Sequence, residues 1–145
     1  MSSNARDEYR VHTILRDLED IMNTHISMLK SLRIACIKVK KGTGSAEYVE
    51  QRVRSIRRLR ARISDSLKNI ESIAENVGEN TALEIVTMVT YIEMSAIRDE
   101  KRYLRIVKKI LREKGLSIDI TGDLYELDEL ARYARKIIER YSGMY

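Results

Sequence analysis

Residues 11–39 read VHTILRDLEDIMNTHISMLKSLRIACIKV, and the spacing of their apolar side chains decides the fold. Val11, Leu18, His25, Leu32 and Val39 stand seven apart. Ile14, Ile21, Met28 and Ala35 follow in a second row of the same period, and Leu15, Met22, Leu29 and Cys36 in a third. A frame held over so many heptads is an α-helix with an apolar seam wide enough to pack against two neighbours. The first helix is therefore expected over about residues 5–40. It stops at Lys40-Lys41-Gly42-Thr43-Gly44-Ser45, where glycine supplies the turn.

Working outward, Ser45 is the expected N-cap of a second helix over about 46–77, with Gly78 as its stop. Thr81-Ala82-Leu83-Glu84 matches a capping box and opens a third helix, over about 82–114. Its apolar pattern is interrupted by the polar stretch Arg98–Arg102 before Gly115 and Leu116 end it. Asp123-Leu124-Tyr125-Glu126 reads as another capping box, opening a shorter fourth helix over about 124–142. Short links force antiparallel neighbours. The expectation is an all-α chain: one domain spanning 1–145, an antiparallel up-down bundle of three long helices and a shorter fourth. The absence of proline and the presence of only six glycines agree with long uninterrupted helices.

Charge is more telling than its net value of +5. Residues 30–62 carry eleven Lys and Arg against Glu47 and Glu50 alone, and 98–114 add a second basic stretch. Up-down topology brings these segments to one pole and leaves the other acidic. A concentrated basic surface steers polyanions and acidic proteins toward it, or serves as a solvated face laced with ion pairs. Lys38, Lys40, Lys41, Arg54, Arg57, Arg58, Arg105 and Lys109 are the candidate partner-binding residues. On a helical wheel Arg54 and Arg58 point away from the seam. Arg52 and Arg60 flank it, where Glu93 and Glu100 of the third helix offer partners, with Glu100 opposite Arg58 and Arg60.

The remaining candidates carry no chemistry. His25 sits on the seam and is expected as a hydrogen-bonded core residue. The Glu-x-x-His pairs of bundle metal sites are missing, so no metal is expected. Residues 41–45 lack phosphate-loop spacing, so no nucleotide cofactor is expected. Cys36 has no histidine beside it to make it a nucleophile. Tyr103 and Tyr141 read as core edge, and Tyr48, Tyr125 and Tyr133 as partly exposed. No catalytic residue and no cofactor are expected. The polar N-terminus and the lack of a long apolar run predict a protein of the cytoplasm with no membrane contact.

The proline-free length, the four heptad helices, the glycine hairpin from Gly42 to Ser45 and the arginine run Arg52–Arg62 together resemble the small four-helix-bundle proteins of bicaudavirus-like crenarchaeal viruses. Eighteen Ile against thirteen Leu, and one Gln beside seventeen Arg, follow a hyperthermophile trend that fits this resemblance. The resemblance implies a virion bundle protein, or an inhibitor that occupies the DNA-binding channel of the host's RNA polymerase, acting in the host cytoplasm. The chain is also similar, in its basic helical faces, to small helical subunits of CRISPR effector complexes, which bind nucleic acid directly.

Overall fold

The computed structural model describes residues 3–145, with side chains described from residue 5 onward. It is all-helical: α1 (Ser3–Lys40), α2 (Ala46–Ile73), α3 (Glu79–Tyr91), a π-helical turn (Ile92–Ile97), α4 (Arg98–Glu113) and α5 (Thr121–Ser142). α3, the π turn and α4 form one continuous rod, so the four rods of the expected bundle are present. Their directions follow from who meets whom. Glu8 meets Gly78, and His25 meets Glu100, so α1 runs with the α3–α4 rod. Arg57 meets Asp123 and Glu71 meets Tyr133, so α2 runs with α5. Glu93 meets Arg135 and Lys101 meets Asp128, so the α3–α4 rod opposes α5. The tight turn after Lys40 sets α2 against α1, placing Arg52 beside Met28. The arrangement is up-down-up-down.

The seam of α1 packs as its spacing dictates, with Val11, Leu18 and Leu32 wholly buried and His25 at 1% exposure. Fully buried Leu67, Leu104 and Leu127 join the same core from the other rods, each contributing roughly 1.5–3 kcal/mol. Two glycines terminate helices in the left-handed region, Gly42 at φ +79° and Gly115 at φ +74°. At the first, Thr43 N–H reaches back to Lys38 O (2.9 Å) and Gly42 N–H to Val39 O (3.0 Å). At the second, Leu116 N–H reaches Leu111 O (2.8 Å) and Gly115 N–H reaches Arg112 O (3.0 Å). Both are Schellman caps, which satisfy carbonyls that the helix end leaves free. Ser45 caps α2 by accepting from Tyr48 N–H (3.2 Å).

Three expected boundaries are corrected. α2 ends at Ile73 rather than Val77, because the Tyr141 hydroxyl takes the Ala74 carbonyl (2.7 Å) as the chain turns away. Gly78 is not the stop of that helix but the N-cap residue of α3, its N–H donated to the Glu8 carboxylate (2.5 Å). Thr81 and Glu84 make no capping box: buried Thr81 hydrogen-bonds His12 Nε2 (3.2 Å), and Glu84 pairs with His12 Nδ1 (3.0 Å). α5 starts at Thr121 rather than residue 124, its first N–H accepted by Asp119 Oδ1 (2.9 Å), which frees Asp123 from any capping role.

The interruption expected at Arg98–Arg102 has its physical origin just upstream. The π turn holds one extra residue, so Ala96 and Ile97 are both buried and the seam resumes one position late, on Glu100, Leu104, Val107 and Leu111. A regular helix would have continued the phase onto Asp99, Tyr103 and Ile110. The bulge is what turns Glu100 inward.

A methyl group added at Gly44 would stand 2.8 Å from Lys38 Cβ and 2.9 Å from Val39 N, whereas one added at Gly122 meets nothing within 4 Å. Gly44→Ala should therefore cost about 1–3 kcal/mol in denaturant unfolding. Gly122→Ala, inside α5, should raise stability by roughly 0.5–1 kcal/mol.

Candidate functional site: the basic end of the bundle

Each of the four rods sends one polar side chain to a common level in the interior: His25, Arg60, Glu100 and Asp123, all 5% exposed or less. Arg60 is central. Its Nη1 donates to Glu100 Oε2 (2.5 Å) and its Nη2 to Asp123 Oδ1 (2.7 Å) and Glu126 Oε2 (2.9 Å). Glu100 Oε1 meets His25 Nε2 at 2.8 Å. A carboxylate only accepts, so the imidazole carries its proton on Nε2, and Nδ1 is left buried without a partner. On the far side Arg57 grips Asp123 with two parallel hydrogen bonds of 2.8 Å and donates to the Asp119 carbonyl (3.3 Å). Burial pushes the Asp123 carboxyl up, but the hydrogen bonds from Arg57 and Arg60 outweigh it and hold the group below its ordinary value.

The sequence reading placed the inner arginines opposite acidic residues, and Arg60 with Glu100 meets that expectation. Glu93 instead pairs with Arg135 of α5 (2.5 Å). Arg57, expected among the partner-binding residues, is corrected: its guanidinium is committed to Asp123. The signal for this lay in the spacing. Asp119, Asp123 and Glu126 form an acidic stripe at helical intervals, and Arg57 and Arg60 form a basic one.

Because α5 begins at this level, the bundle continues past it on three helices only. The later part of α1, the early part of α2 and most of α4 extend about 20 Å further. The segment between α4 and α5 returns beside them with Ile120 buried. Residues 26–59 and 101–120 hold sixteen Lys and Arg against four Asp and Glu, leaving eleven against eighteen in the rest of the chain. Lys38, Lys40, Lys41, Arg54, Arg58, Arg105 and Lys109 are all exposed, and none makes an ion pair among the described residues. They are spread along this three-helix end rather than gathered at a point. Arg105 lies close enough to Asp128 to help hold its carboxyl below the ordinary value, behind the larger effect of the Lys101 hydrogen bond.

Other features of the molecule lack this convergence of one charge. A groove of about 810 Å³ opens between α1 and α3 over Leu15, Met22, Met88 and Tyr91, but its rim mixes Arg16 with Glu19 and Glu84. Burial pushes the Cys36 thiol up to about 11, which keeps it protonated and inert. Among the described residues no three His, Cys, Asp or Glu side chains gather to hold a metal ion, and no helix is long and apolar enough to cross a membrane. No family model matches the chain, and neither does any characterised protein or solved structure.

Glu100→Gln should cost about 3–5 kcal/mol in chemical denaturation, since it removes the most buried counter-ion of Arg60 and turns an amide NH2 toward a donor of either Arg60 or His25. Asp123 has a depressed folded-state value, so its contribution is present above the ordinary value of 3.8 and is lost as pH falls through the folded one. The stability gap between the native chain and Asp123→Asn, measured by urea unfolding, should therefore be constant near neutrality and shrink below about pH 4.

Proposed function

We propose that this chain is a non-catalytic binding protein whose basic end engages the nucleic-acid-handling machinery, with a host RNA polymerase as the partner it inhibits. The observation that carries this reading is the three-helix end, where cations outnumber anions fourfold and seven exposed Lys and Arg make no ion pair among the described residues. Ordinary solubility does not call for such an excess; opposite charges interspersed over the surface achieve it. Polymerases hold their catalytic Mg²⁺ with clustered carboxylates, and a rigid basic projection complements a surface of that kind. The identity of the polymerase comes from the resemblance to the bundle proteins of bicaudavirus-like viruses, and the charge argument stands apart from it.

Direct nucleic-acid binding is the second reading, favoured by the same unpaired cations. The two separate on salt and on nuclease. A direct binder loses affinity along a log–log salt slope set by the number of phosphates it contacts. A polymerase inhibitor retains its partner after nuclease treatment and blocks transcription.

The test is affinity capture from a nuclease-treated archaeal extract, with the native chain and an Arg54→Glu, Arg58→Glu, Lys41→Glu variant. The expected outcome is retrieval of polymerase subunits by the native chain and at least a tenfold loss with the variant, whose melting temperature stays the same because all three side chains are exposed. If polymerase is absent from the native capture, or is retained by the variant, the proposal is wrong.

A further inference from the structure

Three arginines of α2 reach into grooves beside their helix, and their surroundings differ in kind. Arg57 and Arg60 end on carboxylates. Arg52, half-buried against α1, ends on none. Its Nη2 donates to the Tyr48 hydroxyl (2.5 Å), its Nη1 faces the Met28 sulfur (3.6 Å), and its Nε–H is buried without an acceptor. The guanidinium lies 4.6 Å from the centroid of the Tyr48 ring. A phenol, a thioether and a π face hold the group in place without neutralising it. A partly desolvated cation normally finds an anion.

Next to Arg52 a groove of about 340 Å³ runs between α1 and α2, lined by Ser27, Lys30, Ser31, Ile34, Lys38 and Tyr48. None of these is acidic, and helical register puts Glu47 and Glu50 on the other side of α2 from Tyr48 and Arg52. Lys30 and Lys38 are exposed and make no ion pair among the described residues. Tyr48 itself responds to these neighbours. Hydrogen bonds from Arg52 and Ser31 hold its hydroxyl below the ordinary value, and the charges of Arg52 and Lys38 act in the same direction. Ile34, 55% exposed, and the 41% exposed Tyr48 ring add an apolar and aromatic surface beside the cations.

We infer that this groove is a binding site for one nucleotide unit. Lys30 and Lys38 take the phosphate, with the Arg52 guanidinium adding its charge from beside Tyr48, Ser27 offers a hydroxyl donor, and the base lies against Ile34 and the exposed part of Tyr48. A volume at the low end of small-ligand sites suits a single nucleotide rather than a duplex. Phosphate with an attached base is the shared chemistry of a free mononucleotide and of a single-stranded nucleic acid, in which base–aromatic stacking and backbone cations act together. The site shares only Lys38 with the partner surface above and does not depend on which protein that surface meets.

The experiment is fluorescence anisotropy at low salt with a labelled oligothymidylate, with unlabelled thymidine monophosphate and inorganic phosphate as competitors. The variants are Lys30→Glu, which changes an exposed residue and leaves folding intact, and Arg52→Lys, which keeps the charge but loses the guanidinium fork that holds it beside Tyr48. Each should weaken binding about tenfold, while Arg54→Glu with Arg58→Glu leaves mononucleotide competition unchanged even where it abolishes polymerase capture. Competition by thymidine monophosphate supports the site with a free nucleotide as its occupant. Oligonucleotide binding that only the groove variants weaken, with no competition by the mononucleotide, supports it with a single strand as occupant. Equal binding by Lys30→Glu and the native chain, or no binding by the native chain at low salt, overturns the inference whatever the outcome with polymerase.

Discussion

The Arg60 guanidinium, enclosed by Glu100 and Asp123 at the level where all four rods meet, is the constraint on which the rest of the structure depends. A cation at 5% exposure must keep its counter-ions. That requirement ties α2 to α4 and α5 at one register, and His25 extends the tie to α1 through Glu100. Apolar seams alone would tolerate a heptad slip with little loss, since one Leu replaces another. A slip of α4 would leave Arg60 facing an aliphatic side chain, at a cost of several kcal/mol. The π turn belongs to the same constraint, because without its extra residue Asp99 rather than Glu100 would point toward the seam.

The same cluster divides the surface. Asp123 and Glu126 spend their charge on Arg57 and Arg60, and Asp128 spends its charge on Lys101. The acidic start of α5 is thereby anchored midway along the bundle and does not reach the three-helix end. Lysines and arginines of α1, α2 and α4 beyond that level have few carboxylates within reach. The basic end is a consequence of where a short helix begins, and α5 begins where Asp119 caps it.

The sequence made the bundle legible because the seams of α1 and α2 repeat without a break, and because Gly42 and Gly115 mark stops that only positive φ can supply. The pairing of Arg60 with Glu100 was legible too, since both flank their seams at matching heights. Asp123 was not: with Glu126 three positions on, it has the spacing of a capping box, and only the position of Thr121 shows that the helix has already started. With Asp123 read as a cap, Arg57 has no carboxylate to meet and counts among the partner-binding residues. The π turn was hidden because one inserted residue changes phase without changing composition. At the α2–α3 link, Gly78 suits a helix stop and a helix start equally, and the choice is made by Glu8 and Tyr141, which are distant in sequence.

The proposed function rests on unbalanced positive charge being concentrated at the three-helix end, with sixteen Lys and Arg there against four Asp and Glu. Backbone amide chemical shifts of the isotopically labelled chain, followed during titration with a short anionic polymer at low salt, test this directly. Perturbations confined to the later part of α1, the early part of α2 and α4 beyond Glu100 are the predicted result. Perturbations centred on α3 and the later part of α5, or none at all, would contradict it.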